Sequence, residues 1–150
     1  MPRVKLALPS IFPFRTELEI RIADINYGGH LGNDSVLSLA HEARIRFLSS
    51  FGYTEKDIEG SGIIMTDAVI VYRGEGFHGD RLLIEIAVDD IQSHRCDLLY
   101  RFSRVADQKE IARLKTGISF YDYGKRTIAP VPAEFKARIS RSQQPAATEQ

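Results

Sequence analysis

The chain has 150 residues, enough for one domain that buries about two thirds of the surface its unfolded chain exposes. Twenty basic and twenty acidic side chains cancel, so no net charge draws it to nucleic acid or to an anionic membrane. A single cysteine, Cys96, excludes an internal disulfide and a multi-cysteine metal site, and its strand-like setting marks a buried structural thiol.

Residues 1–14 mix apolar side chains with Pro9 and Pro13 and lack a continuous apolar run. They fit neither a signal peptide nor a spanning helix, and a cytoplasmic setting is expected. Glu17, Glu19 and Arg21 then alternate with Leu18, Ile20 and Ile22, the period of a half-buried strand. Extending that parity turns Asp24 and Asn26 toward the apolar side. Residues 23–34 gather carboxylate, amide and imidazole groups with Gly28, Gly29 and Gly32, directly before a helix start. Such a start offers unpaired N–H groups and a partial positive charge, suited to a carbonyl or an anion.

A helix is predicted from Ser35 to Phe51, with Asn33, Asp34 and Ser35 as competent N-caps and Gly52 as its stop. Val36, Leu37, Leu39, Ala40, Ala43, Ile45, Phe47 and Leu48 cover much of its circumference, so it should pack on more than one side, as under a curved sheet. Ser38, Glu42, Arg46 and Ser49 form its polar stripe. Residues 53–62 read as a short helical turn and loop. Four strands follow, over 63–73, 81–91, 95–105 and 110–121, with 74–80 as the first connection and 106–109 as a hairpin turn. A short basic segment follows Pro130 and Pro132, and residues 140–150 are expected to be a disordered tail behind a domain spanning 1–139. The order gives an α+β fold: an antiparallel sheet of about five strands on one long helix, with edges that invite a second subunit.

The pattern Asp24-x-Asn26-x-x-Gly29-His30-x-x-Asn33, followed by Glu42-Ala43-Arg44, resembles the hotdog-fold acyl-CoA thioesterases. Among these it is most similar to the 4-hydroxybenzoyl-CoA thioesterase-like branch, over about residues 15–122. The resemblance implies a sheet wrapped around the helix and a homodimer or homotetramer with the site between subunits. It also implies hydrolysis of an acyl-CoA or acyl-carrier-protein thioester without a cofactor or metal.

One position departs from that branch. A catalytic aspartate commonly stands where this chain has Asn26, with Asp24 at the preceding acidic position. Asparagine is neither nucleophile nor base, but it can orient a thioester or a water. Another hotdog lineage pairs a loop amide with an acidic residue on the central helix, which makes Glu42 the favoured base and Asp24 the alternative. The family parallel aims the Asn33 backbone N–H at the thioester carbonyl, and His30 would assist the oxyanion or shuttle a proton.

Each of these residues also has a structural role open to it. Glu42 stands four residues before Arg46, the spacing of a helix ion pair. Asp24 can accept backbone N–H groups in the turn, Asn26 is a natural turn former, His30 can brace the loop and Asn33 can cap the helix. Asp67 lies in an apolar strand, where an unpaired charge is costly, so it should pair at an interface or line a site. His41 points to another side of the helix, while His78 and His94 fall at a loop or strand end. The four histidines lack ligand-like spacing for zinc. Two other functions are weighed: a non-catalytic acyl-CoA-binding domain, and an enoyl-thioester hydratase suggested by the Asp24/His30 pair.

Overall fold

The computed structural model describes residues 4–144. Six strands form one antiparallel sheet: β1 (Phe14–Glu19), β2 (Gly62–Tyr72), β3 (Arg81–Asp89), β4 (Arg95–Arg104), β5 (Glu110–Asp122) and the short β6 (Thr127–Ile128). The spatial order is β1-β3-β4-β5-β2, with β6 on β5. The long helix α1 (Asn33–Ser49) packs on one face, and a second helix, α2 (Ala133–Ser142), follows β6. This is the expected hotdog architecture.

Alternation in the strands decides which side chains meet α1. Leu82, Ile84, Ile86 and Val88 of β3 and Leu98, Tyr100 and Phe102 of β4 are buried against Val36, Leu39, Ala40, Ala43, Phe47 and Leu48 in one apolar core. Cys96 lies in that core, where burial pushes its thiol up to about 12, so it is structural as expected.

Several expectations change. The first strand stops at Glu19, because its partner β3 begins at Arg81. A 3-10 turn over Ile22–Asp24 then breaks the parity, leaving Asp24 buried but Asn26 exposed. Helix α1 begins at Asn33 with Gly32 as N-cap and no capping side chain, so Asn33 does not cap it. The helix is buried on one side only: Leu37 and Ile45 are each 40% exposed. Residues 53–62 form two tight turns, closed at Thr54–Asp57 and Ile58–Ser61, in place of a helical turn. Residues 140–142, expected in a disordered tail, are helical. Helix α2 runs to Ser142, held by buried Phe135 and Ile139, and the Gln143 amide makes two hydrogen bonds to the Val88 backbone. Residues 145–150 lie outside the described residues.

A polar chain crosses the core. Buried Arg44 donates to Glu55 at 2.9 Å and to the Tyr100 hydroxyl at 3.2 Å, which meets Thr116 Oγ1 at 2.8 Å. His41 closes the outer end on Glu55 at 2.8 Å. Burial alone would raise the Glu55 carboxyl, but hydrogen bonds and charge from His41 and Arg44 outweigh it and hold the group below its ordinary value.

Two outcomes test this chain. Tyr100→Phe removes the buried hydroxyl that Arg44 Nη1 and Thr116 Oγ1 share, and should lower the unfolding free energy by about 1–3 kcal/mol, read by urea titration. The depressed Glu55 carboxyl stabilises the fold above its unfolded value, and that contribution is lost as pH falls through the folded value. Glu55→Gln should therefore flatten the loss of stability on acidification below about pH 4.5, seen as a shallower fall in urea midpoint.

Candidate active site

Sequence-local forces shape the loop between β1 and α1. Asp24 is 4% exposed, and its Oδ2 accepts the Arg21 N–H at 2.8 Å. The Arg21 guanidinium stands 3.5 Å from Oδ1, so both carboxylate oxygens serve the 3-10 turn. The Asn26 side chain folds onto its own turn: Oδ1 accepts the Gly28 N–H at 3.0 Å and the His30 N–H at 3.2 Å. Its backbone adds Asn26 N–H to His30 O at 2.8 Å and Gly29 N–H to Asn26 O at 3.1 Å. The oxygen of Asn26 is thus occupied, while its Nδ2 has no hydrogen-bond partner among the described residues and the residue is exposed.

Two further bonds tie this loop down. Gly32 N–H donates to Asp24 O at 2.9 Å, and Leu31 N–H donates to Gly76 O at 2.8 Å. The second bond favours a glycine. A Cβ on Gly76 would stand 2.7 Å from Ile20 Cδ1 and 3.2 Å from Leu31 Cβ. Val36 N–H is bonded to Gly32 O at 3.3 Å, so the amides of Asn33, Asp34 and Ser35 are the first-turn donors without an intrahelical acceptor. The exposed Tyr72 hydroxyl of β2 donates to Asn33 O at 3.3 Å, which places the edge strand beside the helix start.

His30 packs its ring against Phe77, centroids 5.2 Å apart. Its Nδ1 is buried without a hydrogen bond, and Glu75 Oε2 lies 3.5 Å away, within ion-pair range but out of alignment. Glu42 sits elsewhere. It pairs with Arg46 at 3.1 Å, is 53% exposed, and lines a cavity of about 280 Å³ with Leu18, Arg21 and Ser38 that none of residues 26–33 enters.

Asn26, His30 and the Asn33 amide are thus brought to one loop; Asp24 lies beneath it and Glu42 apart. Asp67 is exposed on β2, where a hydrogen bond from Lys115 at 2.9 Å holds its carboxyl below the usual range. His41 belongs to the Glu55 chain, while His78 and His94 are exposed. Among the described residues no three His, Cys, Asp or Glu side chains gather as metal ligands, and no helix is long and apolar enough to cross a membrane. Glu75 and Phe77 escaped the sequence reading, which took 74–80 as a plain connection. The glycines at 74, 76 and 79 were the available sign of a closely approached backbone.

The family model described as the thioesterase-like superfamily matches residues 20–139. A 1,4-dihydroxy-2-naphthoyl-CoA hydrolase of Synechocystis sp. is 26% identical over 129 residues, covering 84% of this chain and 94% of that protein. A crystal structure of a Synechocystis 1,4-dihydroxy-2-naphthoyl-CoA thioesterase superposes with a TM-score of 0.79 at 24% identity, over 88% of this chain and 98% of that one. A Staphylococcus aureus protein solved in complex with CoA gives 0.79 at 17% identity, over 97% and 94% of the two chains.

The loop conformation is testable by a small change. Gly29 has φ of +83°, and nothing lies within 4 Å of a Cβ built there, so only the backbone opposes a side chain. Gly29→Ala should cost about 1–2 kcal/mol of stability in urea unfolding.

Proposed function

The chain belongs to the thioesterase-like superfamily, and on that premise we propose that it hydrolyses an acyl- or aroyl-CoA thioester to a carboxylate and free thiol. The observation that carries this reading is the loop itself. It sets Asn26 and His30 on the turn that leads into three free first-turn amides of α1, where a developing oxyanion would find donors and a favourable dipole. The thioester oxygen would lie against the Asn33 N–H, a donor worth roughly 3–4 kcal/mol in the transition state. The Asn26 Nδ2 would orient the thioester or the attacking water, since its oxygen is held by the turn. Asp24 or Glu42 would act as base only after leaving Arg21 or Arg46.

A homodimer fits the same reading. Strand β2 is an edge of the sheet, with Met65, Thr66, Asp67 and Ala68 exposed, and its unpaired backbone invites the same strand of a second copy. That pairing would set the partner beside Tyr72 and the helix start. Coenzyme A as the thioester carrier fits a cytoplasmic setting.

A panel of acyl-CoA and aroyl-CoA thioesters, with thiol release followed by a colorimetric reagent, tests the activity. Turnover that falls by about a hundredfold in Asn26→Ala is expected for a lost transition-state donor. Tight binding without thiol release on every substrate would make the protein a binding domain. Hydration of crotonyl-CoA in place of hydrolysis would make it a hydratase.

A further inference from the structure

Hydrolysis needs a group that takes a proton from water, and the acidic candidates are engaged elsewhere. Both Asp24 oxygens face Arg21, and Glu42 pairs with Arg46 outside the loop. We infer that His30 is the general base of the site and that Glu75 is its positioning residue, an inference that rests on the hydrolase reading above. Three observations support this dyad. His30 Nδ1 is buried with no hydrogen bond and has Glu75 Oε2 at 3.5 Å, a separation that tightens readily when a substrate closes the site. Phe77 holds the ring from one side. The side chain is nonetheless 38% exposed, and of its two ring nitrogens only Nδ1 is buried, so Nε2 is open to water. The Nδ1–H tautomer directed at Glu75 leaves the Nε2 lone pair for a proton, the arrangement in which a carboxylate orients an imidazole base.

The step balances without another reactant. Nε2 takes a proton from water as the water oxygen bonds to the thioester carbon, and the carbonyl oxygen becomes an oxyanion at the α1 start. Collapse re-forms the carbonyl and breaks the C–S bond. The leaving thiolate takes the proton back from the imidazolium, and the acid product ionises into solvent. Other charged groups on the neighbouring elements have partners or positions of their own. Asp80 accepts the Phe77 N–H and pairs with Arg104 at 3.2 Å, Asp24 serves Arg21, and Asp34 sits over Gly32 at the helix start. His78 of the same loop is exposed.

Two readouts on the full-length protein test the dyad: the pH profile of kcat/KM for thiol release from the best CoA thioester of the panel, and the tautomer of the His30 imidazole, read from its nitrogen chemical shifts by NMR without substrate. His30→Asn should lower kcat by about a hundredfold or more and remove the acid limb of the profile. Glu75→Gln removes a carboxylate that is 68% exposed and therefore screened. It should lower kcat severalfold with KM little changed, and shift the His30 imidazole away from the Nδ1–H tautomer. His78→Asn, in the same loop, should leave the profile as it is. An acid limb that persists in His30→Asn, or a His30 tautomer unmoved by Glu75→Gln, would overturn the inference. Wild-type protein without thiol release on any substrate would defeat the hydrolase reading instead, and the His30–Glu75 pairing would then stand or fall on the tautomer.

Discussion

Two backbone hydrogen bonds govern this molecule: Gly32 N–H to Asp24 O, and Leu31 N–H to Gly76 O. The first closes the loop on itself at the N-cap of α1. The second staples the same point to the connection between β2 and β3. Together they aim the first-turn amides of the helix and fix which loop side chains can stand beside them. The second bond favours glycine, because a Cβ on Gly76 would stand 2.7 Å from Cδ1 of the buried Ile20. In that geometry Asn26 is exposed, His30 half-buried and Asp24 buried. The chemistry open to the loop follows from that sorting.

The substitution of asparagine for the family's aspartate reads differently in this light. An aspartate at position 26 would offer two oxygens, one for the turn and one for the substrate. Asn26 gives its only oxygen to the amides of Gly28 and His30, and what remains is a donor. A site with a donor there is built to hold a carbonyl or a water in place. On the proposed hydrolysis the proton would go to a neighbour, and His30 is the candidate on the same loop.

Much of the architecture was legible in the sequence because it rests on periodicity. Leu18 and Ile20, the four alternating apolar residues of β3 and the apolar stripe from Val36 to Leu48 announce the strands and the helix before any packing is known. Helix α2 was hidden, since its burial rests on only Phe135 and Ile139 in a basic segment. The start of α1 was misplaced because three capping-competent residues, Asn33, Asp34 and Ser35, follow a glycine whose backbone does the capping alone. In the site, the motif revealed the loop but not the state of its side chains. Burial of Asp24 and separation of Glu42 depend on which way a 3-10 turn and a helix face point. The neighbour at 3.5 Å, Glu75, lies 45 residues from His30, beyond any local pattern.

The central claim is that water is activated by an imidazole and attacks the thioester directly, with no carboxylate acting as nucleophile. A single turnover in oxygen-18 water, with enzyme in excess over an aroyl-CoA, separates these routes most directly. Direct attack predicts the label in the released carboxylate and none in the protein. Label in a peptide carrying Asp24 or Glu42, with unlabelled oxygen in the first product formed, would mean an acyl-enzyme anhydride and would contradict the account.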